Sequence, residues 1–325
     1  MDALSLIRKP VEQELTAYKT LFEKALSHDS PLLSDVLKHI RTRKGKMMRP
    51  ILVLLAAKWA GKVTDSTLHA AVTLEVLHTA SLVHDDVVDE SSKRRGQLSV
   101  NAAYNNKVAV LVGDYLLSTA LIYSAFTKHL DIVEKISLLG QVLSEGELLQ
   151  LSNVSNDEIV SEDSYFKVIS KKTAALFAAC AEIGVISADG APDLIRKARR
   201  FGELVGICFQ IRDDIFDYFP NAEIGKPTGN DLAEGKLTLP VLYALRVANN
   251  AKMTEIAYRV KSGDVSSEEI RQLVQFTLDN GGIEYAYKKM EEFRQEAYQL
   301  IGGCNEESLR CSFKAYIDFC VERTK

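Results

Sequence analysis

Proline is scarce in this sequence: there are seven in 325 residues, and none lies between Pro50 and Pro192. Because proline breaks the interior of a helix, this gap leaves room for several long uninterrupted helices. Cysteine is also scarce, and the five cysteines include no CxxC pair. Their spacing argues against a zinc site and predicts reduced thiols in a cytoplasmic protein.

Neither sign of charge dominates, since the formal net charge is -4. This balance excludes a general attraction to nucleic acid, so any anion site needs a local group of Lys and Arg. Apolar runs such as residues 51–57 and 174–181 are far shorter than the roughly 20 residues of a spanning helix. The start of the chain carries Glu12 and Glu14 and no apolar leader core. We therefore expect a soluble protein without a leader, with at most peripheral membrane contact.

Apolar residues recur mostly at intervals of three and four, which indicates helices throughout the chain. Residues 68–88 and 108–126 are apolar almost all round, as is typical of helices inside a bundle. No alternating strand pattern, repeat or low-complexity linker interrupts the chain. The sequence predicts one all-α domain over residues 1–325, with ten or more helices.

Two acidic clusters lie in these apolar segments. Asp85, Asp86 and Asp89 form one DDxxD motif, and Asp213, Asp214 and Asp217 form a second. Aspartates four residues apart lie on the same helix face. Half-buried carboxylates that repel each other need cations, and clusters of oxygen ligands favour Mg²⁺ with a phosphorylated ligand.

Two other interpretations of these acidic residues were weighed. A solvated helix face fits a single acidic cluster, but apolar flanks on most sides disfavour it here. A di-iron bundle needs two ExxH pairs. Glu75 and His78 form one such pair, and no other histidine has Glu three positions before it. The metal and phosphate interpretation is therefore favoured.

Basic residues stand where a diphosphate needs them. Arg94 and Arg95 follow the first cluster within two helical turns, and Gly96 allows the chain to turn back. Lys226 and Lys236 lie in a glycine-containing segment after the second cluster, which suits a loop that closes over a ligand. Taken singly, each of these cations is more often a solvated surface charge.

These residues, in this order, give the chain a resemblance to the trans-polyprenyl diphosphate synthases. The resemblance spans residues 40–245 and includes GKMMRP at 45–50, ExxH at 75–78, GDY at 113–115, EGE at 145–147, KKT at 171–173 and the two DDxxD motifs. One departure is that Lys44 and Met47 replace a glycine and a basic residue of the first motif. The resemblance implies an all-α bundle around a central cavity, as in isoprenoid synthases.

The resemblance also implies roles for individual residues. Mg²⁺ would be bound by Asp85, Asp86, Asp89, Asp213, Asp214 and Asp217, with Asp85, Asp89 and Asp213 expected as direct ligands. The diphosphate of the allylic substrate would be held by Arg94, Lys172, Lys226 and Lys236. Isopentenyl diphosphate would be held by Lys46, Arg49, His78 and Arg95. Dipoles facing the developing cation or orienting the metals would come from Thr173 and Gln210. For His78, a packed core histidine is the alternative.

The implied reaction adds isopentenyl diphosphate successively to an allylic diphosphate. Farnesyl diphosphate is the expected primer, and the expected long-chain polyprenyl diphosphate would supply the side chain of a quinone. Ala80 and Ser81, five and four positions before Asp85, are small, so a growing tail meets no early block. Roughly seven to ten isoprene units are expected, at about one unit per helical turn of about 5.4 Å. Candidate floor residues are Leu77, Thr73, Tyr123, Phe126 and Ile136.

Two alternative functions and one assembly prediction remain at this point. A terpene cyclase shares the first acidic motif but differs at the second, and a non-catalytic subunit of a heteromeric synthase tends to lose acidic positions. All six aspartates are present here. The apolar helix predicted over residues 108–126 and the resemblance together predict a homodimer.

Overall fold

The computed structural model describes residues 2–42, 45–94, 96–155, 158–219 and 228–323 of the chain. Within these ranges the elements, in chain order, are helices α1 (Ala3–Arg8), α2 (Glu12–Ala25), α3 (Pro31–Arg41), α4 (Met48–Ala60) and α5 (Asp65–Val88), strands β1 (Lys93–Arg94) and β2 (Gln97–Leu98), and helices α6 (Val100–Ala103), α7 (Asn106–Phe126), α8 (Leu130–Ser155), α9 (Glu162–Ile169), α10 (Ala175–Ile186), α11 (Pro192–Phe216), α12 (Asn230–Ala233), α13 (Leu239–Ala248), α14 (Ala251–Ser262), α15 (Ser267–Asp279), α16 (Gly282–Ile301) and α17 (Glu307–Glu322). Lys9–Val11 is a 3₁₀ turn, and Ser170–Ala174 is a π-helical turn.

The chain divides into two compact units. The first comprises Met1–Gly140, Leu176–Gly202 and Ile301–Tyr316. At its core, α4 is buried from Ile51 to Ala57, and α5 packs against α2, α4 and α7. Thr64 caps the start of α5 through a capping box with Thr67, which fixes where this 24-residue helix begins. Gly184 lets α10 approach α4, because a Cβ there would lie 2.4 Å from the Val53 carbonyl oxygen.

The second unit comprises Gln141–Ala175, Glu203–Leu300 and Ile317–Lys325. In this unit α15 packs against α12, α13 and α14, and α9 packs against α13. Ser266 and Glu269 form a capping box at the start of α15, and Gly263 adopts a left-handed conformation after α14. These caps separate helices that lie close together in sequence.

The predicted all-α class is confirmed. Segments rich in Gly, Ser, Asp and Pro at residues 61–66, 189–193 and 261–267 coincide with helix ends. The small β1–β2 hairpin was not predicted, because two-residue strands carry no alternating pattern. The assignment of residues 1–325 to one domain stays a prediction.

The apolar helix predicted over residues 108–126 is α7. Of the helices in the described ranges, α7 alone is long and apolar enough to cross a membrane by length and composition. A core helix of a globular protein has the same length and composition. In the most apolar stretch of α7, 44% of the residues are buried inside the protein.

Candidate active site

The first acidic cluster lies at the C-terminal end of α5. Asp86 is fully buried, Asp85 is half-buried and Asp89 is exposed. The helix dipole places partial negative charge at this end, so each carboxylate here is disfavoured by about 0.3–1 kcal/mol unless a cation is near. Three aspartates at the negative end of a helix therefore favour a nearby cation.

Arg94 supplies one such cation. The β1–β2 hairpin turns the chain back, and Arg94 Nε donates to Asp86 Oδ1 at 2.5 Å. Asn101 Nδ2 donates to the Asp86 carbonyl oxygen at 3.0 Å and holds the same turn in place. The structure places Arg94 against the first cluster, while its predicted role at a diphosphate stays a prediction and Arg95 lies outside the described residues.

His84 fixes α5 against α7 directly before this cluster. Its Nε2 lies 3.2 Å from the Val110 carbonyl oxygen and 3.4 Å from Asp114 Oδ1. A Cβ at Gly113 would lie 2.1 Å from the imidazole Nε2, so only glycine fits beneath the ring. The glycine of the GDY motif therefore positions the helix that carries Asp85 and Asp89.

A cavity of about 790 Å³ in the first unit is lined by Arg94 and His78, with the basic side chains Lys19, Lys38 and Arg41 around it. Its size is within the usual range for ligand pockets. Gly45 and Met47, which flank Lys46, also line it. Arg49 is half-buried, with its guanidinium 4.9 Å from the centroid of the Phe177 ring. This basic cavity suits an anion such as a diphosphate.

The second acidic cluster also lies at the C-terminal end of a long helix, the 25-residue α11. Each of its three carboxylates contacts a donor of the second unit. Asp213 forms an ion pair with Arg323, and Asp214 accepts hydrogen bonds from Tyr165 and Gln210. Asp217 accepts from the backbone N–H groups of Asn230 at 2.9 Å and Asp231 at 3.0 Å, at the start of α12.

The KKT motif lies in the π-helical turn Ser170–Ala174. Such turns are rare and occur frequently at functional sites. Lys172 Nζ is 2.8 Å from Glu147 Oε2, and Lys171 Nζ is 2.7 Å from Glu145 Oε2. The EGE motif of α8 thus supplies a carboxylate to each lysine of the turn.

A second cavity, of about 210 Å³, collects several predicted residues within the second unit. Its lining includes Lys172, Thr173, Gln210, Asp214 and Lys236. Lys236 Nζ lies 2.5 Å from Glu234 Oε2. Lys226 lies outside the described residues.

Burial and neighbouring negative charges raise the pKa of two carboxyl groups in this cavity. Burial raises the pKa of Asp214 to about 7, and the bonds from Tyr165 and Gln210 lower it only in part. Burial, followed by the charges of Asp214 and Asp217, raises the pKa of Asp231 well above its usual range. A region that holds carboxylates at this cost favours cations.

The donor chemistry fits Mg²⁺, because both clusters offer oxygen atoms only and both sit at negative helix ends. Within the part of the chain that the structure describes, no three or more His, Cys, Asp or Glu side chains form a metal-binding group. Within the first unit Asp85 and Asp89 on α5 would hold Mg²⁺, and within the second unit Asp213 on α11 would do so.

Sequence reasoning missed five polar residues around the second cluster. The five are Glu147, Tyr165, Asp231, Lys261 and Arg323. Glu147 lies in the EGE motif, to which no role was assigned, and no sequence motif assigned a role to the other four.

An all-α chain with two DDxxD clusters and nearby Lys and Arg belongs to the class of enzymes that act on isoprenoid diphosphates. The family model described as polyprenyl synthetase matches residues 30–277, so this chain belongs to the polyprenyl synthetase family and is a prenyltransferase. The expected resemblance is thereby confirmed.

Three similar proteins illustrate the range of this family. The octaprenyl diphosphate synthase of Haemophilus influenzae is 37% identical over 85% of this chain and 84% of its own. A geranylgeranyl pyrophosphate synthase from Bacteroides thetaiotaomicron is 51% identical, with a TM-score of 0.88 over 99% of this chain and 100% of its own. A polyprenyl synthase from Caulobacter crescentus, solved with calcium and isoprenyl diphosphate, is 28% identical, with a TM-score of 0.92 over 99% of this chain and 98% of its own.

Proposed function

We propose that this prenyltransferase adds isopentenyl diphosphate repeatedly to an allylic diphosphate, with farnesyl diphosphate as primer, and releases a long-chain all-trans polyprenyl diphosphate. The observation that carries the proposal is the position of both aspartate clusters at the C-terminal ends of long helices, with Arg94 turned back onto the first. Carboxylates at a negative helix end favour divalent cations, and divalent cations bind diphosphate.

Each group has a part in this reaction. Mg²⁺ bound at each cluster, by Asp85 and Asp89 in the first unit and by Asp213 in the second, would supply Lewis-acid stabilisation of the departing diphosphate. Arg94, Lys172 and Lys236 hold that diphosphate and offset the charge that grows on it as the allylic C–O bond breaks. Lys46, Arg49 and His78 hold isopentenyl diphosphate. Its double bond attacks the allylic carbocation, and the proton lost from the adduct passes to the departing diphosphate.

Two of the lysines assigned to the diphosphate must first release the carboxylates with which they are paired. Lys172 is paired with Glu147, and Lys236 is paired with Glu234. Both pairs are partly exposed, and such pairs contribute only about 0–1 kcal/mol. A diphosphate carries more charge than one carboxylate, so it can displace Glu147 and Glu234 at little cost.

The path for the product tail is proposed along α5. Ala80 is fully buried, and the half-buried Ser81 donates to the His78 carbonyl oxygen at 2.9 Å. The first aromatic obstacle combines His69 with the predicted floor residues Tyr123 and Phe126, whose ring centroids are 5.5 Å apart. The His69 ring lies 6.0 Å from Tyr123 and 5.6 Å from Phe126.

His69 lies sixteen residues before Asp85, or about 24 Å along the helix. At about one unit per turn, four to five isoprene units reach these aromatic rings. A longer product extends past them, and Phe126 is 51% exposed. The long-chain assignment is supported by the octaprenyl relative, whereas the geranylgeranyl relative shows that four units is the alternative to test.

The test incubates the protein with Mg²⁺, farnesyl diphosphate and labelled isopentenyl diphosphate, and sizes the products. We expect a main product of roughly seven to ten units. A main product of four units would overturn the long-chain assignment and leave the prenyltransferase intact. Absence of any condensation with farnesyl, geranyl or dimethylallyl diphosphate would overturn the proposed reaction itself.

We also propose that the enzyme is a homodimer. In the first unit, seven apolar side chains are exposed along α7 and the start of α8. They are Val110, Leu111, Leu121, Ile122, Phe126, Leu130 and Leu138. A second copy that covers these residues removes them from water, which is the usual reason for such a surface.

A further inference from the structure

Asp214 differs from its two neighbours in the second cluster. It is 3% exposed, whereas Asp213 and Asp217 are half-buried. Both of its carboxylate oxygens are engaged by side chains: Tyr165 OH donates to Oδ2 at 2.6 Å, and Gln210 Nε2 donates to Oδ1 at 2.8 Å. A buried carboxylate with two short donors is held in one orientation.

The chain of hydrogen bonds continues to the π-helical turn. Gln210 Oε1 accepts from Thr173 Oγ1 at 2.7 Å, and Thr173 directly follows Lys172. Gln210 thus directs its amide nitrogen to Asp214 and its amide oxygen to Thr173, so one orientation of the amide satisfies both partners. The orientation of Asp214 therefore determines which group Thr173 can reach.

Tyr165 is itself rigid. It is buried on α9, and its ring makes an edge contact with Phe166 at 5.3 Å between centroids, which in turn contacts Phe293 at 5.9 Å. Burial and the charge of Asp214 raise the pKa of Tyr165 well above its usual value, so the phenol keeps its proton. In the structure the phenol therefore donates to Asp214.

We propose that Tyr165 is a positioning residue for prenyl transfer, which acts by holding Asp214 as the acceptor of Gln210 and thereby orienting Thr173 and Lys172. In this assignment, which rests on the proposed function, Asp214 organises the protein and leaves metal binding to the other aspartates. The assignment differs from the role implied by the family resemblance, which gave Asp214 to Mg²⁺.

A positioning role affects the kinetics with the allylic diphosphate and leaves the affinity for Mg²⁺ unchanged, whereas loss of a metal ligand would change both. Tyr165→Phe removes one oxygen and keeps the ring, so Asp214 loses a donor and Gln210 is no longer fixed. Because hydrogen bonds to buried charges are strong, we expect kcat/KM for the allylic diphosphate to fall about tenfold to a hundredfold. The KM for isopentenyl diphosphate should change less than about twofold, because the residues assigned to it are not on this chain of bonds.

Asp214→Asn tests the metal role. Asparagine keeps an acceptor for Gln210 and an amide that can bond to the Tyr165 oxygen, but it loses the charge. We expect the affinity for Mg²⁺, titrated calorimetrically in the presence of inorganic diphosphate, to stay within about threefold of the wild type. The double variant Tyr165→Phe with Asp214→Asn should lose less activity than the two single losses multiplied, because both act on one network.

Tyr285→Phe is the matched control. Tyr285 OH donates to Glu162 Oε1 at 2.6 Å, and Glu162 lies on α9 as Tyr165 does, so this change removes a tyrosine–carboxylate bond of the same length from the same helix and leaves both donors of Asp214 in place. We expect it to leave kcat and both KM values unchanged and to set the stability effect of losing one such bond.

The proposal is overturned if Tyr165→Phe keeps wild-type kinetics within twofold. It is also overturned if its activity loss is accompanied by a fall in Tm well beyond that of Tyr285→Phe without any difference between the two KM values. A tenfold or greater loss of Mg²⁺ affinity in Asp214→Asn makes Asp214 a metal ligand and has the same consequence. Failure of the wild-type protein to condense any substrate contradicts the proposed reaction instead, and the calorimetric result still decides the role of Asp214.

Discussion

At the scale of single residues, the contact between Arg323 and Asp213 has the most direct consequence. Arg323 follows α17, is largely buried, and donates to Asp213 and to the Phe209 carbonyl oxygen. Its guanidinium lies 3.8 Å from the centroid of the Phe209 ring. A cation is thus already placed beside a carboxylate that is expected to bind Mg²⁺, and the two cations compete for it.

Replacing Arg323 with Leu should strengthen Mg²⁺ binding in the absence of substrate, by about threefold to tenfold, because this counter-charge is removed from Asp213. Calorimetric titration of Mg²⁺ measures the change. Arg294→Leu is the matched control, because Arg294 pairs with Glu291, Asp318 and Glu322 away from the cluster and should leave the affinity unaltered. Weaker Mg²⁺ binding in Arg323→Leu would show that Arg323 supports the metal site.

A second prediction at this scale concerns product length. Ala80 is fully buried on α5, five residues before Asp85. A tyrosine there should narrow the path of the tail and shorten the main product to about three or four units, while the first condensation stays nearly as fast. Chromatographic sizing of the labelled products decides the matter. An unchanged product distribution would place the tail elsewhere in the protein.

At the scale of elements, the approach of α8 to the π-helical turn determines where the KKT motif lies. Gly146 separates Glu145 and Glu147, and a Cβ on it would lie 2.8 Å from the backbone nitrogen of Lys172 and 3.0 Å from Lys171 Cβ. The helix can bring its two glutamates to the two lysines only because this position has no side chain.

Gly146→Ala should therefore move α8 away from the turn and lengthen both Glu–Lys contacts. We expect a loss of about 1–3 kcal/mol in the free energy of unfolding and a KM for the allylic diphosphate at least fivefold higher. Denaturant unfolding and steady-state kinetics measure the two effects.

Gly140→Ala is the control on the same helix, because a Cβ at Gly140 meets nothing within 4 Å. It should stabilise the protein by up to about 1 kcal/mol through helix propensity and leave the kinetics alone. Equal effects of the two substitutions would refute a steric role for Gly146.

At the scale of the whole molecule, the proposed homodimer depends on the exposed apolar face of α7. Leu111 and Ile122 are 68% and 54% exposed and lie eleven residues apart, so they occupy the same face of the helix. We expect sedimentation at micromolar concentration to show a species of twice the 36.1 kDa chain mass. A single species near 36 kDa would remove the homodimer proposal.

The surface itself is tested by replacing Leu111 and Ile122 with Glu together. This change should convert the dimer to monomers, because two buried charges per chain would oppose association. Val247→Glu, at a position on α13 that is 57% exposed, should leave the dimer intact. Dissociation in the control, or its absence in the double variant, would locate the interface elsewhere.

Much of this site could be predicted from local sequence. The DDxxD spacing places Asp85 and Asp89 on one face of a helix, and Arg94 could be expected near them because Gly96 permits a tight turn. Tyr165 could not be found in this way, since an aromatic residue on an amphipathic helix is typical of a core. Glu147 was visible in a motif, yet its partner lies 25 residues away across a turn that no pattern predicts.

The sequence by itself determined the all-α class, the two apolar helices α5 and α7 and the two carboxylate clusters, because helix periodicity depends on residues within one or two turns of each other. Only the tertiary structure decided which donors hold each carboxylate. Tyr165 and Asp214 are 49 residues apart, and Arg323 and Asp213 are 110 apart. Such pairs form because helices pack against one another at particular depths and angles. Packing of that kind depends on the shapes of many side chains at once and leaves no periodic signal in the chain.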